Sequence, residues 1–286
     1  MRVAIVGCGY VGLELGRRLV GDGTVVFGVR RSRDGLAAVE EAGLEPVRAD
    51  ATDPASLAAV PDVDTVVFAA SAGGRDPVAA RRTYLEGQCN TIAAFGQRPA
   101  APDRYLYTSS TGVYGDRGGD WVDEDTPLTP ATERQRILAR AERIAIQGAR
   151  TAGMAGTVAR LAGLYGPGRY RLASYLEGPV APGYLNLCHR DDAAGAVATM
   201  LETPDTRGEV VTVVDDEPVE RPALAAWLAE ACGEPVPPAR STDEREAAPR
   251  PSRRCSNAKL HSLGYDLAYP TFREGYRAAV AAYRSE

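Results

Sequence analysis

Short runs of apolar residues alternate with segments of helical periodicity through the first half of the chain. The apolar runs are almost wholly hydrophobic, which is typical of parallel strands that helices cover on both faces. The predicted strands are residues 2–6, 24–29, 44–49, 65–70 and 104–109, and the predicted helices are residues 11–20, 34–42, 77–95 and about 132–151. This alternation predicts an α/β fold built on a doubly wound parallel sheet.

The second half of the chain has a less regular pattern. Residues 110–132 are rich in Gly, Asp, Thr and Pro and predict a loop long enough to suggest a functional role. Further predicted elements are strands 157–161 and 209–214, helices 191–201, 222–232 and 269–283, and a charged, proline-rich surface loop over 234–254. We interpret residues 1–165 as one domain and residues 166–286 as a smaller substrate-binding lobe, with residues 191–214 returning to the first domain.

Composition narrows the chemistry that is available. Lys259 is the only lysine among the 33 basic residues, and His189 and His261 are the only histidines. A catalytic lysine at any other position and a multi-histidine metal centre are therefore excluded, and we predict no metal site. The net charge is −5 and the basic residues are dispersed, so neither nucleic acid nor a membrane surface is expected as a partner.

Cysteine usage and the first residues indicate the compartment. The five cysteines are widely spaced and form no CxxC pair, which is typical of a reducing compartment without a disulfide framework. The opening MRVAIVGCGYVGLELG lacks the long apolar segment of a secretory signal, and no apolar run approaches the roughly 20 residues of a membrane helix. We therefore expect a cytoplasmic protein whose partner is a small-molecule substrate.

A glycine-rich turn follows the first predicted strand and opens the first predicted helix. Gly7, Gly9 and Gly12 form the pattern GxGxxG, with Tyr10 and Val11 between the last two glycines. Such a turn lets the backbone approach a pyrophosphate closely, and the free N–H groups of the helix N-terminus bind its charge. Because the pattern lies within a βαβ unit, it favours dinucleotide binding over a purely structural turn and predicts a sheet of the Rossmann type.

The end of the second strand predicts which dinucleotide is bound. An NAD-selective site usually places a carboxylate there, whereas this chain has Arg30, Arg31 and Ser32. Guanidinium groups and a hydroxyl suit a 2′-phosphate, so we expect NADP, with NAD as the less favoured cofactor. Asp50, beside Ala51, follows the third strand and could accept a hydrogen bond from the adenine amino group or could simply cap its loop.

Further motifs occur in a fixed order along the chain. They are Ala69-Ala70-Ser71, Ser109-Ser110-Thr111-Gly112-Val113-Tyr114-Gly115, Arg160 with Tyr165-Gly166-Pro167-Gly168, and His189-Arg190-Asp191-Asp192. Together with the glycine turn they resemble the extended short-chain dehydrogenase/reductase superfamily of NAD(P)-dependent epimerases and dehydratases. The resemblance implies that Ala69, Ala70 and Ser71 contribute to the cofactor site. It also implies a homodimer that pairs residues 78–95 and 133–151.

The chain departs from this superfamily at its reaction centre. The resemblance implies a serine that binds the substrate oxygen, a tyrosine that transfers the proton, and a lysine four residues later that holds the nicotinamide ribose. Ser110 matches the serine, but the other two positions fall on Arg134 and Leu138. Because Lys259 is the sole lysine, no YxxxK pair exists in the chain. The glycine turn also differs from the usual GxxGxxG, so the chain is similar to an atypical branch of the superfamily.

Other residues must replace the missing pair. Arg134 is permanently charged, so it could stabilise an oxyanion or bind a carboxylate, but it is a poor acid. Tyr165 is our predicted proton donor and Tyr114 is the alternative, although either ring could be packed in the core. We interpret His189 as support for the helix that follows it. Trp121, in the long loop, could close over a substrate or could pin that loop to the surface.

Three functions remain open from the sequence. We expect an NADP-dependent oxidoreductase that reduces a carbonyl or imine in a small metabolite or biosynthetic intermediate, with Ser110 orienting the substrate, Arg134 stabilising charge and Tyr165 supplying the proton. One alternative is a non-catalytic NADP-binding sensor, which the loss of the tyrosine and lysine would permit. The other is an enzyme without net redox chemistry, such as an epimerase, dehydratase or cyclase.

Overall fold

The structure is a computed structural model that describes residues 1–74, 76–240 and 251–285. Its strands are β1 (Arg2–Val6), β2 (Val25–Arg30), β3 (Glu45–Arg48), β4 (Thr65–Phe68), β5 (Arg104–Ser110), β6 (Trp121–Val122), β7 (Ala155–Leu161), β8 (Gly163–Tyr165), β9 (Tyr184–Leu185), β10 (Leu187–His189), β11 (Val210–Val213), β12 (Val219–Glu220) and β13 (Arg254–Cys255). Its helices are α1 (Tyr10–Gly21), α2 (Arg33–Glu41), α3 (Pro77–Arg81), α4 (Gly87–Gly96), α5 (Glu133–Arg143), α6 (Ala149–Thr151), α7 (Ala173–Leu176), α8 (Arg190–Glu202), α9 (Arg221–Cys232), α10 (Ala258–Ser262) and α11 (Phe272–Tyr283).

Seven of these strands form one parallel sheet in the order β11-β7-β5-β4-β1-β2-β3. The chain builds outward from β1 in both directions, so the strand order reverses beside β1 and β4. The apolar runs of the sequence become strands buried on both faces, as in β4, where all four residues are buried. The predicted α/β fold with a doubly wound sheet is therefore confirmed. Ligands bind such sheets beyond the carboxyl ends of the strands, near the point where the order reverses.

Helices cover the two faces of this sheet. On one face α1 packs along α8, and on the other α5 packs against the turn that follows β5. Two helices run on through single π turns, since Arg82–Glu86 joins α3 to α4 and Ile144–Gly148 joins α5 to α6. Within the described ranges, every helix is too short or too polar to cross a membrane.

Capping residues explain where two of the helices begin. The helix predicted from about residue 132 starts at Glu133, because the Thr132 hydroxyl accepts from the Gln135 amide while the Gln135 side chain accepts from the Thr132 amide. The C-terminal helix starts at Phe272 and not at residue 269 as predicted. Thr271 and Glu274 form a second capping box, which fixes the start of that helix three residues later.

Short strands outside the main sheet were not predicted. β8 pairs with β10, β9 with β12, and β13 with β6. The last pair corrects the predicted loop over 234–254, because Arg254 donates its main-chain N–H to the Asp120 carbonyl at 2.9 Å and joins a strand. Residues 241–250 of that loop lie outside the described residues.

Candidate active-site cleft

A cleft of about 720 Å³ lies along the carboxyl edge of the main sheet, which is a volume typical of small-molecule sites. Most of the predicted site residues line it together: Gly7, Gly9, Tyr10, Val11, Arg30, Arg31, Ser32, Asp50, Ala51, Ala69, Ala70, Ser71, Ser110 and Arg134. Gly12 and Tyr165 are absent from the lining that the described residues form. The remaining walls include the ends of β5 and β7.

The glycine turn forms the centre of the cleft. Gly7 has φ +81°, a backbone conformation that residues with a side chain rarely adopt. A Cβ atom at this position would also lie 2.3 Å from the Cα of Ala70, so both the backbone conformation and the available space require glycine. Gly9 precedes α1 without a side-chain cap, which leaves the first N–H groups of that helix free to bind an anion. Gly12 serves packing, because a Cβ atom there would lie 2.9 Å from Ile5. It supports the turn without lining the cleft.

Arginine side chains occupy the end of the cleft beside β2 and β3. Arg30 lies across the glycine turn, where its Nη1 donates to the Cys8 carbonyl at 3.2 Å. Arg31 is largely exposed, and its Nη1 lies 3.6 Å from an Asp50 carboxylate oxygen. Ser32 has a structural task as well, because its hydroxyl caps α2 by accepting from the Gly35 amide at 3.2 Å. This end of the cleft therefore presents two guanidinium groups.

Asp50 is held as an anion at the same end. Its Oδ1 accepts from both the amide and the hydroxyl of Thr52 at 2.9 Å. Partial burial raises the pKa of the Asp50 carboxyl, but the two Thr52 hydrogen bonds and the Arg31 charge outweigh it and bring the pKa below its usual value. Asp50 therefore acts as an acceptor at neutral pH, and it also caps its loop.

Ser110, Arg134 and Leu138 meet at the opposite end of the cleft, over β5 and α5. The Ser110 hydroxyl accepts from the Gly112 amide at 3.1 Å, so its own hydrogen is free for another acceptor. Arg134 donates to the Gly74 carbonyl at 3.0 Å, which ties it to the loop after β4. Leu138 stands where the superfamily has its lysine, so that position contributes an apolar wall.

A buried ion pair between Glu142 and Arg160 stabilises the elements that carry Ser110 and Arg134. Glu142 on α5 accepts from the Arg160 guanidinium at 3.0 and 2.8 Å and from the Ser109 hydroxyl at 2.8 Å. Burial lowers the pKa of Arg160, but the hydrogen bonds and charge of Glu142 outweigh burial and leave it above its usual value. The pair thus joins β5, β7 and α5, and both residues also line the groove beside α5.

Neither phenol singled out by the sequence reaches the cleft. The Tyr165 ring stacks on Tyr276 with centroids 4.8 Å apart, and its hydroxyl is so close to Gly275 that a Cβ atom there would lie 1.9 Å away. Burial and the neighbouring Asp215 raise the pKa of Tyr165 far above its usual value. The Tyr114 hydroxyl is occupied by Arg160 at 2.9 Å. Both rings are core residues, so Tyr165 does not fit the predicted proton-donor role.

Among the described residues, the phenols that do line the cleft are Tyr10, Tyr84 and Tyr107. Tyr84 projects from the π turn Arg82–Glu86, and Tyr107 projects from β5. Arg169 also lines the cleft, with its guanidinium 5.3 Å from the centroid of the Tyr10 ring. Sequence analysis missed Tyr84, Tyr107 and Arg169. The pattern showed that residue 107 lies in a buried strand, but not that its side chain lines the cleft.

His189 and Trp121, the two remaining residues considered in the sequence analysis, both make structural contacts. His189 is buried, and its Nδ1 accepts from the Asp191 amide at 3.3 Å, which caps α8. Burial lowers the pKa of His189, which favours the neutral form that this hydrogen bond needs. Trp121 pins the long loop, because β6 pairs with β13 and the Arg254 guanidinium lies 5.2 Å from the centroid of the Trp121 ring.

The chain is similar in sequence and in fold to several known proteins. The sequence model of the "NAD dependent epimerase/dehydratase family" matches residues 3–180. Protein YeeZ of Escherichia coli (strain K12) is 32% identical over 212 residues, which cover 71% of this chain and 74% of that protein. A functionally unknown conserved protein from Silicibacter pomeroyi is 31% identical, with a TM-score of 0.79 and 98% of each chain covered. The UDP-glucose 4-epimerase of Thermus thermophilus, solved with NAD, has a TM-score of 0.80 over 99% of each chain at 22% identity, which shows a shared fold.

Proposed function

The chain belongs to the NAD-dependent epimerase/dehydratase family, and from that premise we propose that it is an NADP-dependent oxidoreductase acting on a carbonyl or imine of a small metabolite. The observation that carries the cofactor preference is the Arg30 side chain across the glycine turn, with Arg31 and Ser32 beside it and no carboxylate at the end of β2. Two guanidinium groups and a hydroxyl provide charge-assisted donors for a 2′-phosphate, which NAD lacks.

Some residues of the cleft would bind the cofactor, and others would bind the substrate. Gly7, Gly9 and the start of α1 would hold the pyrophosphate, and Asp50 would accept from the adenine amino group. When bound, the cofactor would supply or accept a hydride. Ser110 would donate a hydrogen bond to the substrate oxygen, and the fixed charge of Arg134 would stabilise negative charge that develops there. The proton that completes the reduction would come from water, because neither Tyr165 nor Tyr114 is among the described residues that line the cleft. Leu138 would form an apolar wall beside the reacting atoms.

Wild-type protein is expected to bind NADPH about 10 to 100 times more tightly than NADH. The difference corresponds to about one charge-assisted hydrogen bond to the 2′-phosphate, at about 1.5–3 kcal/mol. Isothermal titration calorimetry at one fixed salt concentration measures both constants. Equal or tighter binding of NADH would contradict the proposed cofactor preference.

The family description names epimerases and dehydratases, so a reaction without net redox is the second candidate. An epimerase or dehydratase returns the hydride to its own product, whereas an oxidoreductase consumes NADPH in proportion to product. Absorbance at the nicotinamide band during turnover distinguishes the two. A protein that binds NADPH but converts no substrate, with or without Ser110→Ala, would fit the sensor role.

We also propose that two copies pair through the helices of residues 77–96 and 133–151. Their outer side carries a groove of about 680 Å³ with Leu85, Ile137 and Ile146 among its lining and a shallower one of about 420 Å³ that includes Ile144. Light scattering after gel filtration is expected to give twice the chain mass of 30.3 kDa. Ile144→Asp should yield the monomer, while Val20→Asp, at an exposed site on α1, should not. A monomeric wild-type protein would refute the pairing.

A further inference from the structure

The structure shows where the two halves of a dinucleotide would lie. The glycine turn follows β1, in the middle of the sheet, and the arginines that suit the adenosine half follow β2. A dinucleotide joins two nucleosides through the pyrophosphate, so the second ribose must lie on the other side of β1, over β4 and β5. The described residues lining that side include Ser71, Tyr84, Tyr107 and Leu138. Leu138 offers no hydrogen bond to a sugar.

Tyr107 carries a buried, unpaired donor at this end of the cleft. Its side chain is fully buried, and among the described residues its hydroxyl has no hydrogen-bond partner. The Ser109 hydroxyl, two residues along β5, lies near the Tyr107 hydroxyl, but its hydrogen is donated to Glu142 at 2.8 Å. The neighbouring Tyr84 hydroxyl differs, because its oxygen has a partner and accepts from the Ala72 amide at 3.3 Å. A buried hydroxyl left without a partner costs about 1–3 kcal/mol, so a ligand that pairs it gains affinity.

The electrostatic surroundings keep this phenol protonated. Burial and the nearby Tyr84 and Glu142 raise the pKa of Tyr107 well above its usual value, and Ser109 and Arg134 offset only part of that rise. The O–H group therefore remains a donor across the physiological pH range. Sugar hydroxyls are suitable acceptors for such a neutral donor.

We propose that Tyr107 binds the ribose of the nicotinamide half of the cofactor, its phenolic O–H donating to a ribose hydroxyl. This inference rests on the proposed function, because it requires a bound dinucleotide. It assigns to β5 the task of holding the sugar, which the superfamily resemblance gives to a lysine that this chain lacks. Tyr107 is thus a cofactor-binding residue, and Arg134 keeps the substrate role proposed above.

Tyr107→Phe tests this inference, with Tyr105→Phe as the matched control. Tyr105 is equally buried two residues earlier on β5, but its hydroxyl lies 3.4 Å from the Gln88 side chain and outside the cleft lining. Two ligands are titrated by calorimetry: NADPH, and adenosine 2′,5′-bisphosphate, which lacks the nicotinamide ribose. Tyr107→Phe should weaken NADPH about three- to tenfold, the loss of one neutral hydrogen bond, and should leave the bisphosphate unchanged. Tyr105→Phe should change neither constant.

Thermal unfolding without ligand provides a second measurement. Removing an unpaired hydroxyl should not lower the midpoint of Tyr107→Phe, which separates a binding defect from a folding defect. Unchanged NADPH binding, or equal weakening of both ligands, would overturn the role of Tyr107 while leaving NADP binding intact. If wild-type protein binds neither ligand, the proposed function itself fails and this inference with it. If NADH binds more tightly than NADPH, the titrations use NADH and ADP instead. Tyr107→Phe should then weaken NADH binding and leave ADP binding unchanged.

Discussion

Replacing Glu142 with alanine is expected to lower the free energy of unfolding by about 3–5 kcal/mol, because it leaves a buried guanidinium without its counter-charge. The side chains of Glu142 and Arg160 are 6% and 5% exposed, so water cannot compensate for the loss. Arg160 would keep a hydrogen bond to the Tyr114 hydroxyl, which carries no charge to balance it. The Ser109 hydroxyl would lose its acceptor as well.

Urea denaturation at pH 7 measures this effect, and Glu133→Ala is its control. Glu133 lies on the same helix and pairs with Arg81 and Arg136, but its side chain is 44% exposed. An exposed pair contributes little, so Glu133→Ala should cost no more than about 1 kcal/mol. Equal losses for the two variants would contradict the structural role given to the buried pair. The double replacement Glu142→Leu with Arg160→Met should recover part of the stability, since it removes both buried charges.

Arg30→Ala is expected to weaken NADPH binding about 100-fold while changing NADH binding much less. The Arg30 guanidinium lies across the glycine turn and is so close to Gly9 that a Cβ atom there would lie 2.7 Å from its Nη1. The proposed 2′-phosphate would lie at this end of the cleft, where Arg31 and Ser32 also form the wall. One charge-assisted hydrogen bond to that phosphate accounts for about 1.5–3 kcal/mol.

Arg33→Ala is the matched control for this variant. Arg33 belongs to the same arginine-rich run, but it is exposed at the start of α2 and outside the described lining of the cleft. Calorimetry with both dinucleotides should therefore show near-wild-type constants for Arg33→Ala. An equal loss for the two arginines would indicate that only general positive charge attracts the cofactor. A parallel loss of NADPH and NADH in Arg30→Ala would show that the residue shapes the turn without recognising the phosphate.

The sequence predicted the main sheet because most of its strands are local, mainly apolar runs of four to seven residues with helical segments between them. The edge strand β3, Glu45–Arg48, is the exception and is largely exposed. It did not predict the two- and three-residue pairs, whose strands are too short to show a period. β13, for example, pairs with β6 across more than a hundred residues of chain. Pairing over such a separation depends on tertiary contacts that composition and periodicity do not show.

The residues of the candidate site differ in the same way, because some were predictable from local sequence and others depend on tertiary contacts. The glycine turn and Arg30 could be located because each directly follows a strand, and the end of a parallel strand points to the ligand edge. The phenols could not be assigned in this way. Tyr165 also ends a strand, yet its ring packs against Tyr276 on α11, a contact that no local pattern reveals. Tyr107 looked like an ordinary core residue, and only the three-dimensional arrangement places it on the cleft wall.

The π turn Arg82–Glu86 makes the wall of the cleft sensitive to the insertion or deletion of a single residue in that turn. A π turn closes hydrogen bonds five residues apart instead of four, so it accommodates one inserted residue without breaking the helix. Deleting one residue there would allow residues 77–96 to run as an uninterrupted α-helix, with its first part rotated by about 100° relative to α4. Thr83 and Tyr84, which line the cleft from this turn, would be carried away from it. A single-codon deletion could therefore remodel the pocket while sparing the sheet, which makes this turn a natural position for insertions and deletions to diversify specificity.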